Sequence, residues 1–352
     1  MSGIEDKLVR SLAARAGATQ VEAGELARLA VRRAGRMRAR RRVAGVAAAV
    51  VLIVGAAVGV QAMLPQRKDT TLPVALGVPS ALSRPEGIGA DPALLHLDLD
   101  LKAFDDVGVV DWVSGEDRES VTVYGQDHEL VAAVYVAPTV VDLKRGLRPL
   151  SSAAVDVTVG GRPGRADTFD PGNGQRFTDL RWEPVDGIFV AVWARDLAAA
   201  QRVYGAVRLD RVQRCVTPMR LSELPAGARW VECQTATKVT QERSAGEWAW
   251  SGLVVAQADV ERVRLWAAEP AAADGARFAP DRVVAGRSAQ WLTDGMRGLW
   301  VPGFGPVSLY VLEATAFHAD LLSEDEAAWY VEHLQVYDDL TNPDAWPTSA
   351  TR

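Results

Sequence analysis

Glu129-Leu-Val-Ala-Ala-Val-Tyr-Val-Ala-Pro138 and Glu261-Arg-Val-Arg-Leu-Trp-Ala-Ala-Glu-Pro270 share a length, a leading glutamate, a closing proline and an apolar run between them. Three further matches follow in the same order. Val159-Gly-Gly-Arg-Pro163 answers Val284-Ala-Gly-Arg-Ser288, and Trp182-Glu-Pro184 with Gly187 answers Trp300-Val-Pro302 with Gly305. Alternating strands come next, at Ile188–Ala194 and Val307–Ala314. Each copy then closes with a helix and a short strand, Leu197–Ala206 into Val207–Leu209 and Glu324–Leu334 into Gln335–Tyr337. Self-similarity at a spacing of roughly 120 residues predicts a tandem repeat.

The start of each copy extends the pattern. Leu95, Leu97, Leu99 and Leu101 alternate with His96, Asp98 and Asp100, which reads as a strand with one buried and one wet face. The second copy opens at Cys215–Leu221, turns through Ser222–Gly227 and returns along Arg229–Thr235. A turn centred on Leu224 sets Cys215 opposite Cys233 across an antiparallel pair, so a Cys215–Cys233 disulfide is expected. The expected class is α+β: one transmembrane helix plus two tandem repeats, each a mostly antiparallel β-sheet with one C-terminal helix. Repeat 1 covers 94–213 and repeat 2 covers 214–341, with a flexible tail at 342–352.

Toward the N-terminus the composition changes. Residues 65–93 hold Pro65, Pro73, Pro79, Pro85 and Pro92 with Gly77, Gly87 and Gly89, as a Pro/Gly-rich tether would. Val43 to Leu64 contains no charge, and a run of about 20 apolar residues suits a helix crossing a bilayer. Arg36, Arg38, Arg40, Arg41 and Arg42 flank it as membrane-flanking basic residues. Residues 1–42 carry 11 Lys/Arg against 4 Asp/Glu, in a chain whose overall charge is −6. This asymmetry places the N-terminus in the cytoplasm and the C-terminal domain outside a plasma membrane, the protein being single-pass. A cleaved signal ending at Val60-Gln-Ala62 competes, but the 1–42 segment is longer than the charged start of a signal peptide. The basic tail reads as a small helical unit that contacts membrane lipid. It could dock a cytosolic regulatory protein, and Gly55 with Gly59 could pair two anchors as a homodimer. No nucleic-acid-binding pattern accompanies the arginines.

A search for chemistry returns little. No Gly-rich phosphate loop, zinc-protease His pair, nucleophile elbow or Cys-x-x-Cys occurs, so no catalytic residue, cofactor or metal site is expected. His96, His128, His318 and His333 are scattered. Asp98, Asp100, Asp105 and Asp106 read as a solvated strand face, and Asp167, Asp170 and Asn173 lack the spacing of a calcium loop. All 11 tryptophans follow the apolar run. Trp182 and Trp300 occupy matching repeat positions and read as core. Trp248 and Trp250, taken to share one strand face with no counterpart in the first copy, are the candidates for ligand contact.

Leu26-Ala-Arg-Leu-Ala-Val-Arg-Arg33 running into Arg38–Arg42 and Val43–Val60, followed by Val159-Gly-Gly-Arg-Pro163, Leu180-Arg-Trp182 and Asp186-Gly187, carries a resemblance. The layout resembles actinobacterial single-pass membrane proteins with an Arg-rich cytosolic tail and an extracytoplasmic α+β domain. Some of these are linked to sigma-factor regulation, which implies an anti-sigma-like role. The zinc-binding His/Cys set of one anti-sigma class does not occur in residues 1–42. The expected function is therefore a non-enzymatic extracytoplasmic binding or sensing domain for an unknown ligand, with a tail that docks a regulator. The alternative is a membrane-anchored ligand-binding or carrier module without signalling.

Overall fold

The computed structural model describes residues 72–347, apart from residues 146, 171–173, 240–246, 258–259, 271–278, 294–296 and 315–321. The expected basic tail, the transmembrane helix at 43–64 and the Gly55–Gly59 pair all lie outside the described residues. Among the described residues no helix is long and apolar enough to cross a membrane.

Fourteen strands form one antiparallel sheet. Its first half comprises β3 (Val109–Gly115), β4 (Arg118–Tyr124), β5 (Leu130–Ala137), β6 (Val155–Val159), β7 (Arg162–Phe169), β8 (Phe177–Val185) and β9 (Ile188–Ala194). The second comprises β13 (Ala228–Lys238), β14 (Glu247–Gln257), β15 (Val260–Ala268), β16 (Arg282–Val284), β17 (Arg287–Leu292), β18 (Gly298–Phe304) and β19 (Val307–Glu313). From the middle outward the order is β3-β4-β5-β9-β8-β7-β6 one way and β13-β14-β15-β19-β18-β17-β16 the other, and β3 pairs with β13. The hairpins β6–β7 and β16–β17 turn tightly. Gly160 and Gly161 sit at φ 57° and 81°, and Ala285 and Gly286 at 49° and 74°, the twin left-handed residues that a two-residue hairpin turn needs.

This architecture corrects the α+β expectation. The described residues are mostly β, with 49% in strands against 14% in helices. The strands of both halves run into one large sheet instead of forming two small α+β units, and the expected transmembrane helix receives no support. Three α-helices occur among the described residues: α1 (Val140–Lys144), α2 (Leu197–Ala206) and α3 (Glu324–His333). Asp196 and Ser323 cap α2 and α3 by accepting from Ala199 N and Glu326 N.

Alternation along the strands gives the sheet two unlike faces. One face builds the main core, where the row Trp112, Val121, Val134, Val192, Leu180 and Ala166 is apolar throughout. Short outer strands lie over this face. β1 (Leu94–Leu95) pairs with β11 (Gln213–Arg214), β2 (Asp98–Leu99) with β10 (Val207–Arg208), and β12 (Met219–Leu221) with β20 (Leu334–Val336). Leu95, Leu97 and Leu99 point into the core, although Leu95 and Leu99 occupy two short strands, with Leu97 between them, and not one strand of the large sheet. From Leu72 onward the proline-rich segment is packed as well, with Leu72, Ala81 and Ile88 buried. Glu119 holds its end down: the buried carboxylate accepts from Gly89 N, His96 N, Leu97 N and His96 Nδ1 at 2.5–3.0 Å.

Candidate functional site

Cys215 and Cys233 form the expected disulfide, with Cα atoms 6.2 Å apart. Its placement differs from the expected hairpin. β13 pairs with β3 and β14, while β12 pairs with β20, so the bridge ties an overlying segment to the core face of the central strand. Cys215 N also donates to Ala93 O at 2.9 Å.

The two candidate tryptophans separate. Register in β13–β14 shifts between Ala236 and Thr237, so that Thr237 faces Trp248 while Ala236 faces Trp250. Such a bulge turns neighbours two apart onto opposite faces. Trp248 enters the main core and donates from Nε1 to Ser251 Oγ at 2.7 Å. Trp250 lies on the second face with Val109, Ala236 and Trp266, its ring 6.1 Å from that of Trp266 and nearly parallel.

Around Trp250 the second face gathers polar groups that no motif announces. Asp111 of β3 faces Ala236 of β13, which faces Trp250 of β14, so the acid and the indole stand about 10 Å apart across two strand spacings. In the neighbouring row Val113, Gln234, Gly252 and Trp266 follow across β3, β13, β14 and β15. Gly252 is the floor of this row, since a Cβ there would meet Gln234 Oε1 and Trp266 Cε3 at 3.4 Å.

A hydrogen-bonded chain links these positions. Glu232 Oε1 lies 2.9 Å from Arg264 Nη2, Arg264 Nη1 donates to Gln234 Oε1 at 3.3 Å, and Gln234 Nε2 donates to Asp111 Oδ2 at 2.7 Å. Burial disfavours the ionised carboxylate of Asp111 and raises its pKa to about 8; the Gln234 bond opposes the rise and the Glu232 charge adds to it. Asp111 is thus mostly protonated at neutral pH. Burial, with the Glu232 charge next, also raises the carboxyl of Glu261. Within this cluster two polar atoms have no hydrogen-bond partner among the described residues, Asp111 Oδ1 and Trp250 Nε1, on residues 7% and 4% exposed. Trp266, Tyr124 and Arg264 are half-buried at the edge of the cluster.

The other residues singled out from sequence do not converge. Asp98 is buried against Arg211, and Asp100 pairs with Arg208 at 3.0 Å. His96 sits on Glu119, and His333 stacks on Trp329. Among the described residues no group of three His, Cys, Asp or Glu could hold a metal ion. Asp167 accepts from Ser151 N and Oγ and from Arg148; although its burial alone favours the neutral acid, these donors together hold its pKa well below the usual carboxylate range. Arg36, Arg38, Arg40, Arg41, Arg42 and His318 fall outside the described residues. Trp182 and Trp300 are not equivalent after all. Trp182 packs in the main core, whereas Trp300, between the core residues Leu299 and Val301, points to the second face.

The Asp111 cluster draws on residues 111, 232, 234 and 264, which sequence reasoning passed over. One signal was available: an acid inside the otherwise apolar run Val109-Val-Asp-Trp-Val113. No protein-family model matches the chain, and no curated protein matches it either.

Proposed function

We propose that residues 72–347 form a non-enzymatic binding or sensing module of an extracytoplasmic, oxidising compartment, with its ligand held on the second face around Trp250, Trp266 and Asp111. One observation carries this reading. Two side chains more than nine-tenths buried, on one face and two strands apart, keep Asp111 Oδ1 and Trp250 Nε1 without a partner among the described residues. Buried polar atoms are normally paired, because leaving one unmade costs about 1–3 kcal/mol. A ligand with a flat face for the indoles and two polar edges answers both. Protonated Asp111 can donate as well as accept, and Trp250 donates, so a hydroxyl-rich saccharide or a nucleoside has suitable chemistry. The compartment is supported by the Cys215–Cys233 bridge, since structural disulfides persist where thiols are not kept reduced.

A thermal-shift and titration series with soluble saccharides and nucleosides tests the site. A compound that binds should raise the melting temperature of the native chain and bind at least tenfold more weakly to Trp250→Phe, which keeps an aromatic ring but loses the donor. No shift with any compound, or equal binding by native chain, Trp250→Phe and Asp111→Leu, would defeat the reading. Export is checked independently by alkylating the protein in intact cells: free thiols at Cys215 and Cys233 would place it in a reducing compartment.

A further inference from the structure

A second site stands apart from the Trp250 face, where the first and last described residues meet. Pro73, Val74 and Leu76 form one wall of a recess, and Pro343 and Trp346 form the other. Val216 and Arg214 complete it, a half-open space of about 280 Å³. Leu76 is 87% exposed and Val74 48%, so an apolar rim is held in water. Every lining side chain but one is hydrocarbon or aromatic.

Three donors at the walls are satisfied within the fold. Arg214 N donates to Pro73 O at 2.7 Å, Ala75 N to Val212 O at 2.9 Å and Trp346 Nε1 to Asp339 O at 2.8 Å. What remains is the guanidinium of Arg214, exposed and with no ion pair among the described residues. A lone cation at an otherwise apolar recess complements a molecule with one anionic end and one hydrocarbon end. The planar fork of arginine fits a carboxylate in bidentate fashion. A volume at the small end of ligand pockets suits a single hydrocarbon chain. The floor is pinned in advance, because Cys215, between Arg214 and Val216, is bridged to Cys233 of the central strand.

We infer that this recess binds a free medium-chain or long-chain carboxylate, its head on Arg214 and its tail along Val74, Leu76, Val216 and Trp346. Calorimetric titration of the full chain with hexanoate, octanoate, decanoate and decanol, all below their aggregation limits, decides the matter. Affinity should rise about fourfold per added methylene until the recess is full. Decanol should bind at least tenfold more weakly than decanoate. Arg214→Gln should weaken decanoate at least tenfold and leave decanol unchanged, and Arg214→Lys, which keeps the charge, should retain most of the affinity. Trp250→Phe should change nothing, which separates this site from the one on the sheet face. Equal binding of decanol and decanoate by the native chain overturns the inference, and that comparison needs no variant to fold. So does decanoate binding that appears only when the chain is ended at Pro347, because the recess would then be the seat of residues 348–352.

Discussion

The two halves of the sheet place different chemistry on the same positions of the second face. Strand pairing lines up Val113, Ser120, Tyr135, Ala191, Arg181 and Arg165 in the first half, and Gln234, Gly252, Trp266, Tyr310, Trp300 and Gln290 in the second. The two rows meet where Val113 faces Gln234. Arg118 lies over the ring of Tyr135 at 5.9 Å, and at the corresponding place Trp250 stacks on Trp266. Arg181 in the first half stands where the second has Trp300. One half is clamped by ions: Arg181 binds Asp179 with two nitrogens at 2.7 and 3.0 Å, and Arg148 binds Asp167 at 2.5 Å. It is then covered, as Leu143 of α1 and Leu147 pack on Ala137 and Ala191 beside Tyr135, Phe189 and Trp193. The other half carries more aromatic faces, and the cluster at the join of the halves holds two unpaired polar atoms, Asp111 Oδ1 from the first half and Trp250 Nε1 from the second. The backbone thus supplies register, and the choice of arginine or tryptophan at a register position decides whether that position is tied into an ion pair or carries an aromatic face.

The sharpest way to break this contrast is Arg181→Leu. It leaves Asp179, whose side chain is fully buried, without its main partner, and removing one member of a buried pair costs about 3–5 kcal/mol. Denaturant unfolding should show a loss of that order; a loss under 1 kcal/mol would mean that the clamp does not hold the first half. Next in size is the double variant Cys215→Ala, Cys233→Ala. The bridge spans 18 positions, and loop-closure entropy for a loop of this length is worth about 3 kcal/mol. An unchanged midpoint would show that the overlying segment is held by packing alone.

Asp111→Asn sharpens the comparison through pH. The folded carboxyl titrates near 8 and the unfolded one near 4, so the contribution of Asp111 to stability is greatest below pH 4 and is lost as pH rises through that window. Asparagine can still accept from Gln234 and does not ionise. Its advantage over the native chain should grow between pH 5 and pH 8, by no more than about 1.4 kcal/mol per pH unit, and stay constant above. A flat difference would mean that Asp111 is ionised in the fold. Smallest of all is Trp266→Tyr, which installs the first half's residue. It keeps a ring beside Trp250 and should cost about 1 kcal/mol or less, read as a small fall in melting temperature.

Much of the strand pattern was legible in the residues, and specific physical features hid the rest. The alternating runs at Ile188–Ala194 and Val307–Glu313 stand where alternation places them, because each has one face in the core. Two short-range irregularities misled. Aligning Trp182 with Trp300 is one residue out of register, and a slip of one moves a side chain to the other face. The irregularities between Trp182 and Val185, and between Val301 and Phe304, show that Trp182 corresponds to Val301. The bulge at Ala236 likewise split Trp248 from Trp250, which two-residue spacing had joined. The class was misread for a different reason. The pairing of β3 with β13 joins residues more than a hundred apart, and no local signal distinguishes two closed sheets from two fused ones. The Asp111 cluster assembles only across that same join.

The β3–β13 pairing also has a consequence for how the chain is made. All the strands of the first half exist before residue 228 leaves the ribosome, and contacts among them are available at once. Until β13 arrives, β3 presents a bare edge of backbone donors and acceptors, open to strand addition by another chain. Cys215 emerges in that same interval with no partner yet synthesised. The moment that seals the edge also brings Cys233 beside it, so the covalent bond records that the two halves have met in the correct order.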